Sequence, residues 1–94
     1  MPDDVVWTHY PGFMRGRAML ETKGYALGGG FDGYAMRRPG EDVRAWVFEM
    51  EDGQWLPFVR VRSADQRWLP CAAAPTLDEA KAVAFAFVRM EGLI

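Results

Sequence analysis

The chain has little cysteine, little net charge and no long apolar run, and each shortage excludes a class of protein. The one cysteine, Cys71, cannot form an internal disulfide, which favours a reducing cytosol. No apolar stretch approaches the roughly 20 residues of a transmembrane helix, and the opening Met-Pro-Asp-Asp lacks the basic region of a secretory signal. A formal charge of −2 gives no global attraction to nucleic acid or to anionic membranes. We therefore expect a cytoplasmic protein.

Metal ligands and catalytic groups are equally scarce. Metal sites need several convergent ligands, but the chain has one histidine, His9, besides Cys71. A Cys71–His9 nucleophile pair would need a third orienting group and an oxyanion hole, and the sequence marks neither. Paired carboxylates stand only at a terminus or in turn-like segments, where solvated acids are common. We expect no metal, no cofactor and no catalytic residue.

The segment 28–33 reads Gly-Gly-Gly-Phe-Asp-Gly and matches the G-x-G-x-x-G pattern of dinucleotide-binding loops. A phosphate-binding loop of that kind follows a strand and opens a helix, so that helix N–H groups meet the pyrophosphate. Residues 34–40 read Tyr-Ala-Met-Arg-Arg-Pro-Gly and are too short for the crossover helix. We interpret the glycines as a loop or bulge.

Ninety-four residues, half of them apolar, indicate one folded domain spanning residues 1–94. The sequence has no asparagine, one serine and one isoleucine, and nine of its eleven basic residues are arginine. A GC-rich coding sequence produces this bias, which indicates a bacterial or phage origin.

The strongest structural signal is a hairpin across 43–62. Two runs rich in aromatic and β-branched residues, 43–50 and 54–62, flank Asp52-Gly53, a dipeptide typical of two-residue turns. A two-residue turn places Met50 opposite Trp55 and Trp46 opposite Val59. One side is then an apolar plate: Trp46, Phe48, Met50, Trp55, Val59 and Val61.

The second strong signal is a helix over 77–91. Thr76-Leu77-Asp78-Glu79 fits a capping box with Thr76 as the N-cap, and Gly92 is a natural C-terminal stop. The helix has an apolar face, which we expect to pack on the apolar plate of the hairpin: Leu77, Ala80, Val83, Ala84, Phe87 and Val88.

Weaker patterns complete the predicted fold. We expect an N-terminal arm over 1–17 with a short strand at Val5–His9, a β-sheet region over 18–72 and the helical region 76–92. Within the sheet region, 18–27 has β-type content, 31–38 can form a strand, and 67–71 can add a short edge strand ending near Pro70. The prediction is an α+β fold, an antiparallel sheet of three to five strands with one C-terminal helix packed on one face.

The hairpin face opposite the plate is too apolar for a fully wetted surface. Either residues 5–20 of the same chain cover it, or another subunit or a partner does. Its mixture of aromatic residues and arginine is typical of interface hot spots. We therefore expect a non-enzymatic protein that works by protein–protein contact, as a homodimer or with a partner. The candidate interface residues are Val47, Leu56, Phe58, Arg60, Arg62 and Trp68.

The same face supports an alternative function, a nucleic-acid-binding or regulatory module. Arginines and aromatic side chains on a sheet can follow a nucleic-acid backbone. The candidate residues are Arg37, Arg38, Arg60 and Arg62. Nearby acidic residues weaken the positive electrostatic potential of this face. The excess of basic residues that usually drives nucleic-acid binding is also absent.

Overall fold

A computed structural model describes residues 5–11, 20–25, 27, 32–61 and 67–90 of the chain. Five strands are present in this part: β1 (Val6–Pro11), β2 (Asp32–Arg37), β3 (Ala45–Glu49), β4 (Trp55–Val61) and β5 (Arg67–Pro70). They are followed by the C-terminal helix α1 (Leu77–Met90). The strands form one antiparallel sheet in the order β1-β2-β3-β4-β5, and the helix packs on one of its faces. The predicted α+β fold is confirmed.

The first core lies between the sheet and α1. Its buried sheet residues come from the three central strands, and small residues of the helix lie against them. Because the helix presents alanine there, its backbone can approach the sheet closely. The buried members of this helix-side core are Met36, Ala45, Val47, Val59, Ala74, Ala80, Ala84 and Val88.

The helix begins where its cap predicts. The Glu79 amide donates to Thr76 Oγ1 at 3.2 Å, which satisfies one of the free N–H groups of the first turn. Asp78 and Glu79 lie at the positive end of the helix dipole and Arg89 at the negative end. Phe87, which the periodicity places in the buried face, is only half-buried, because the alanines occupy the centre of the contact.

The predicted hairpin is present, but its register is shifted by one residue. Phe48 pairs with Leu56 and Glu49 with Trp55. The Met50 amide donates to Gln54 O at 2.8 Å and the Gly53 amide to Met50 O at 3.0 Å, so that residues 51–53 form a three-residue connection. Gly53 has φ +85°, the left-handed conformation that the last residue of such a connection requires. The prediction of a two-residue Asp52-Gly53 turn was wrong.

The shift moves all of β3 relative to the predicted faces, because side chains alternate with a period of two. Trp55 and Val59 of β4 lie on the helix side, as the plate prediction required. From β3, however, Ala45 and Val47 lie on that side, whereas Trp46 and Phe48 lie on the other face. The large aromatic residues of β3 therefore build a second core rather than meeting the helix.

The second core lies on the face opposite the helix. Its buried members are Leu20, Leu27, Phe48, Leu56 and Phe58. Residues 20–22 are helical and Leu27 forms an isolated bridge with Met50, so the β-type content of 18–27 is not expressed as a strand in the described residues of this segment. The Tyr25 ring meets Phe58 edge-on with ring centroids 5.5 Å apart. The chain itself therefore covers Leu56 and Phe58 with this segment, which we call the cover (residues 20–27).

Candidate interaction surfaces

Three arginines lie at one end of the sheet, on the face opposite the helix. Arg60 in β4 donates its amide to Arg44 O at 3.0 Å, so the two residues are direct neighbours across adjacent strands. Arg44 in turn donates its amide to Met36 O at 2.8 Å, beside the end of β2 where Arg37 lies. Met36 is buried on the helix side, so strand alternation puts Arg37 on the other face. We call Arg37, Arg44 and Arg60 the arginine row.

Two acids from the β2–β3 connection approach the row. Glu41 Oε1 lies 3.9 Å from Arg44 Nη2, and Asp42 Oδ2 lies 3.8 Å from Arg60 Nη2. Glu41 also lies 3.4 Å from Arg38 Nε through its other oxygen. The Asp42 side chain is 87% exposed, so solvent screens its pair with Arg60. The acids therefore neutralise the row only in part.

Aromatic surface adjoins the row on the β5 side. The Arg60 guanidinium carbon lies 5.9 Å from the centroid of the Trp68 ring, and Trp68 is opposite Arg60 in the sheet register. Cation–π contact at this distance is favourable.

Of the residues predicted for nucleic acid, Arg37, Arg38 and Arg60 come together at this end of the sheet, and Arg62 lies outside the described residues. Arg44 belongs to the same surface, but the sequence reasoning missed it. A two-residue turn put Arg44 opposite Val61, whereas the three-residue connection puts it opposite Arg60. The signal that could have revealed the position of Arg44 was the triplet Glu51-Asp52-Gly53, since glycine is typical at the third position of three-residue hairpin loops.

The residues predicted for a protein interface are dispersed by the fold. Val47 is fully buried beneath the helix, and Leu56 and Phe58 are buried beneath the cover. Arg60 and Trp68 are half-buried at the end of the sheet, and Arg62 lies outside the described part of the chain. Val47, Leu56 and Phe58 thus stabilise the fold and present no surface to a partner.

The edge strand β1 presents a different surface. Val6–Pro11 contains no charged Lys, Arg, Asp or Glu, and in the described part of the chain it pairs with β2 alone. Val6 is 43% exposed and Tyr10 is 37% exposed, and both lie on the face opposite the helix. The other edge, β5, has four residues and ends in Pro70, which cannot donate to a further strand. Of these two edges, β1 is the better template for pairing.

A polar cluster lies on the helix side of β1 and β2. His9 Nε2 is 3.2 Å from Asp32 Oδ1, and the His9 ring stacks on Tyr34 with centroids 4.4 Å apart. Lys81 Nζ lies 4.8 Å from the Tyr34 centroid and 5.3 Å from that of Trp7. The carboxylate and the stacked ring fix the orientation of the imidazole. The cluster depends on β1–β2 pairing, which the sequence alone did not reveal.

The remaining candidate groups do not converge. Cys71 follows β5, whereas His9 lies in β1 at the opposite edge of the sheet. Burial raises the pKa of the Cys71 thiol, which lowers its thiolate fraction near neutral pH. Residues 28–30 of the glycine segment lie outside the described residues, and Asp32 begins a strand, not a helix. A Cβ at Gly33 would lie 3.2 Å from Phe48 Cε1, so this glycine makes room for an aromatic ring.

The described residues lack two further features that would indicate a function. They contain no group of three or more His, Cys, Asp or Glu that could hold a metal ion. They also contain no helix that is both long and apolar enough to cross a membrane.

Comparison with known proteins gave no match: no family model, no curated protein and no solved structure is significantly similar to this chain.

Proposed function

We propose that this is a non-enzymatic cytoplasmic protein that acts by protein–protein contact, and that a second copy of the chain pairs with its β1 edge. The observation that carries the proposal is the six-residue edge strand, which has no Lys, Arg, Asp or Glu and two exposed apolar side chains. Natural edge strands usually carry charge, proline or a bulge that prevents pairing. The single proline of β1, Pro11, stands at its end, so most of the strand is free of these protections.

The sequence of β1 selects a register for the pairing. In a two-fold symmetric antiparallel pair centred on Thr8, Val6 of one protomer lies opposite Tyr10 of the other. This register covers both exposed apolar residues of the strand. The result is a continuous sheet of ten strands, two copies of the five described. Pairing through one strand buries a small area, so we expect a reversible dimer.

A charge-swap experiment tests both the dimer and its register. Val6→Lys with Tyr10→Lys places two added lysines opposite each other, and this variant should be monomeric because like charges across a strand pair repel. Val6→Lys with Tyr10→Glu places opposite charges in the same positions, and it should dimerise. Sedimentation velocity over a concentration series measures both.

Leu69→Lys is the matched control, because Leu69 is exposed to the same degree as Tyr10 but lies on β5. It should dimerise like the unmodified protein. An unmodified chain that remains monomeric throughout the series contradicts the proposal, and so does a Val6→Lys, Tyr10→Lys variant that still dimerises.

The arginine row favours a second candidate, a nucleic-acid-binding module. Arg37, Arg44 and Arg60 share one face, and Trp68 offers an aromatic surface beside them. The acids Glu41 and Asp42 oppose this candidate because they compete with phosphates for the guanidinium groups. Protein contact therefore remains the leading proposal.

A further inference from the structure

Arg44 and Arg60 form an arrangement that is unfavourable without a further group. The Arg60 amide in β4 donates to the carbonyl of Arg44, the residue before β3. Their neighbours Ala45 and Val59 lie on the helix side, so alternation puts both arginine side chains on the opposite face. The Arg44 side chain is only 15% exposed and that of Arg60 only 21%. Like charges placed opposite each other on neighbouring strands destabilise a sheet, and partial burial reduces the solvent screening that would relieve them.

The guanidinium donors are also unsatisfied. Arg44 Nε and Arg60 Nε are both enclosed, and neither has a hydrogen-bond partner among the residues described. An enclosed donor without an acceptor has a substantial free-energy cost. Glu41 and Asp42 do not supply the acceptors, because their oxygens approach only the terminal Nη2 atoms, at 3.9 Å and 3.8 Å. These distances exceed that of a good charge-assisted hydrogen bond, about 2.7–2.9 Å.

We propose that Arg44 and Arg60 together bind one phosphate group. A phosphate carries the negative charge that relieves the repulsion. Its several oxygens can accept from the Nη atoms of both arginines, and from the enclosed Nε atoms once the side chains rotate to expose them. Trp68 lies against the Arg60 guanidinium and limits its motion, which reduces the entropy lost on binding. The site involves neither Val6 nor Tyr10, so it is independent of the dimer. It would extend the second candidate function if the phosphate belongs to a nucleic acid.

The test is a titration of the full chain, labelled with ¹⁵N, with inorganic phosphate at constant ionic strength set by sodium chloride. The arginine Nε–Hε signals report the atoms in question directly. We expect the signals of Arg44 and Arg60 to shift in a saturable manner, and the shift to be larger than that of Arg89 on the exposed face of the helix. A linear, unsaturable response of all three arginines would overturn the proposal.

Two variants probe the site with little effect on the core. Arg60→Lys retains the charge but removes Nε and the planar fork, so phosphate affinity should fall by about tenfold, the factor that corresponds to one charge-assisted hydrogen bond. Asp42→Asn removes a competing carboxylate, and affinity should rise about two- to fivefold, the range for an exposed ion pair. Arg89→Gln is the control for the loss of one positive charge and should bind phosphate normally. Equal affinity in Arg60→Lys and the unmodified chain contradicts the proposal.

A parallel titration with a short single-stranded thymidine oligonucleotide identifies the source of the phosphate. If the group is a phosphodiester of nucleic acid, the oligonucleotide should bind more tightly than inorganic phosphate and shift the same two Nε signals. Its affinity should also fall linearly with the logarithm of salt concentration. If the site takes free phosphate, the oligonucleotide should leave those signals unchanged while inorganic phosphate shifts them.

Discussion

At the residue scale, the second core changes which aromatic side chains stabilise the protein. Phe58 is buried and contacts both Tyr25 and Phe48, with ring centroids 5.5 Å and 6.0 Å away. Phe87 is only half-buried at the margin of the helix-side core. Phe58→Ala should therefore cost about 3–5 kcal/mol of unfolding free energy, and Phe87→Ala about 1–2 kcal/mol. Urea denaturation of the two variants checks this order, and the reverse order would contradict the assignment of the two cores.

At the element scale, the hairpin shows how much could be predicted from the sequence. The runs 43–50 and 54–62 contain enough aromatic and β-branched residues to predict two paired strands, and both formed. Which face each side chain occupies depends on the turn, and Asp52-Gly53 is compatible with loops of two or three residues. In the structure the Gln54 amide donates to Asp52 Oδ1 at 2.9 Å within the longer loop. Because the turn type was ambiguous, the sequence did not reveal that Arg44 and Arg60 are neighbours, although the two strands themselves were predictable.

The pairing of distant elements was beyond the sequence for a different reason. A short strand was predicted at Val5–His9 within the N-terminal arm, and the structure has β1 at Val6–Pro11. Its pairing with Asp32–Arg37 joins segments far apart in sequence, which no local pattern predicts. Cover of the second face by the same chain was one of the two predicted alternatives, but it was assigned to residues 5–20. The segment 20–27 was not recognised, because its glycine and β-type residues conflict with the helical conformation of 20–22. By contrast, Thr76 and the residues after it predict the helix locally, and the structure has it over Leu77–Met90, while the predicted last residue, 91, lies outside the described residues.

The N-terminal cap of α1 can be tested by substitution of Thr76. Thr76→Ala removes the side-chain acceptor of the Glu79 amide and should lower the unfolding free energy by about 1 kcal/mol. Thr76→Asp keeps an acceptor in the same place and adds negative charge at the N-terminus of the helix, so it should retain most of the stability. Thermal denaturation followed by circular dichroism compares the three proteins. Identical midpoints for Thr76→Ala and the unmodified chain would show that the cap contributes nothing.

At the scale of the whole molecule, the sheet has a core on each face, and the cover is needed to complete the second one. Leu20 is 1% exposed, less than Leu27 of the cover, which is 6% exposed. Leu20→Ala should cost about 2–5 kcal/mol through lost burial and a residual cavity. Glu21→Ala, at the exposed neighbouring position, should cost much less. Guanidinium denaturation measures both, and equal small losses would mean that the cover contributes little to stability.

The order of the strands has a consequence for how the chain reaches its native state. Each strand pairs with the strand next to it in sequence, so much of the sheet is built from nearby segments. Strands joined by short connections pair quickly, because a short loop closes at a small entropic cost. The β3–β4 hairpin, whose strands are joined through the hydrogen-bonded three-residue connection 51–53, is the natural nucleus, and each remaining strand can then add to an existing neighbour. The long β1–β2 connection makes β1 the slow addition, and the strand that we propose for dimerisation would thus complete the sheet last.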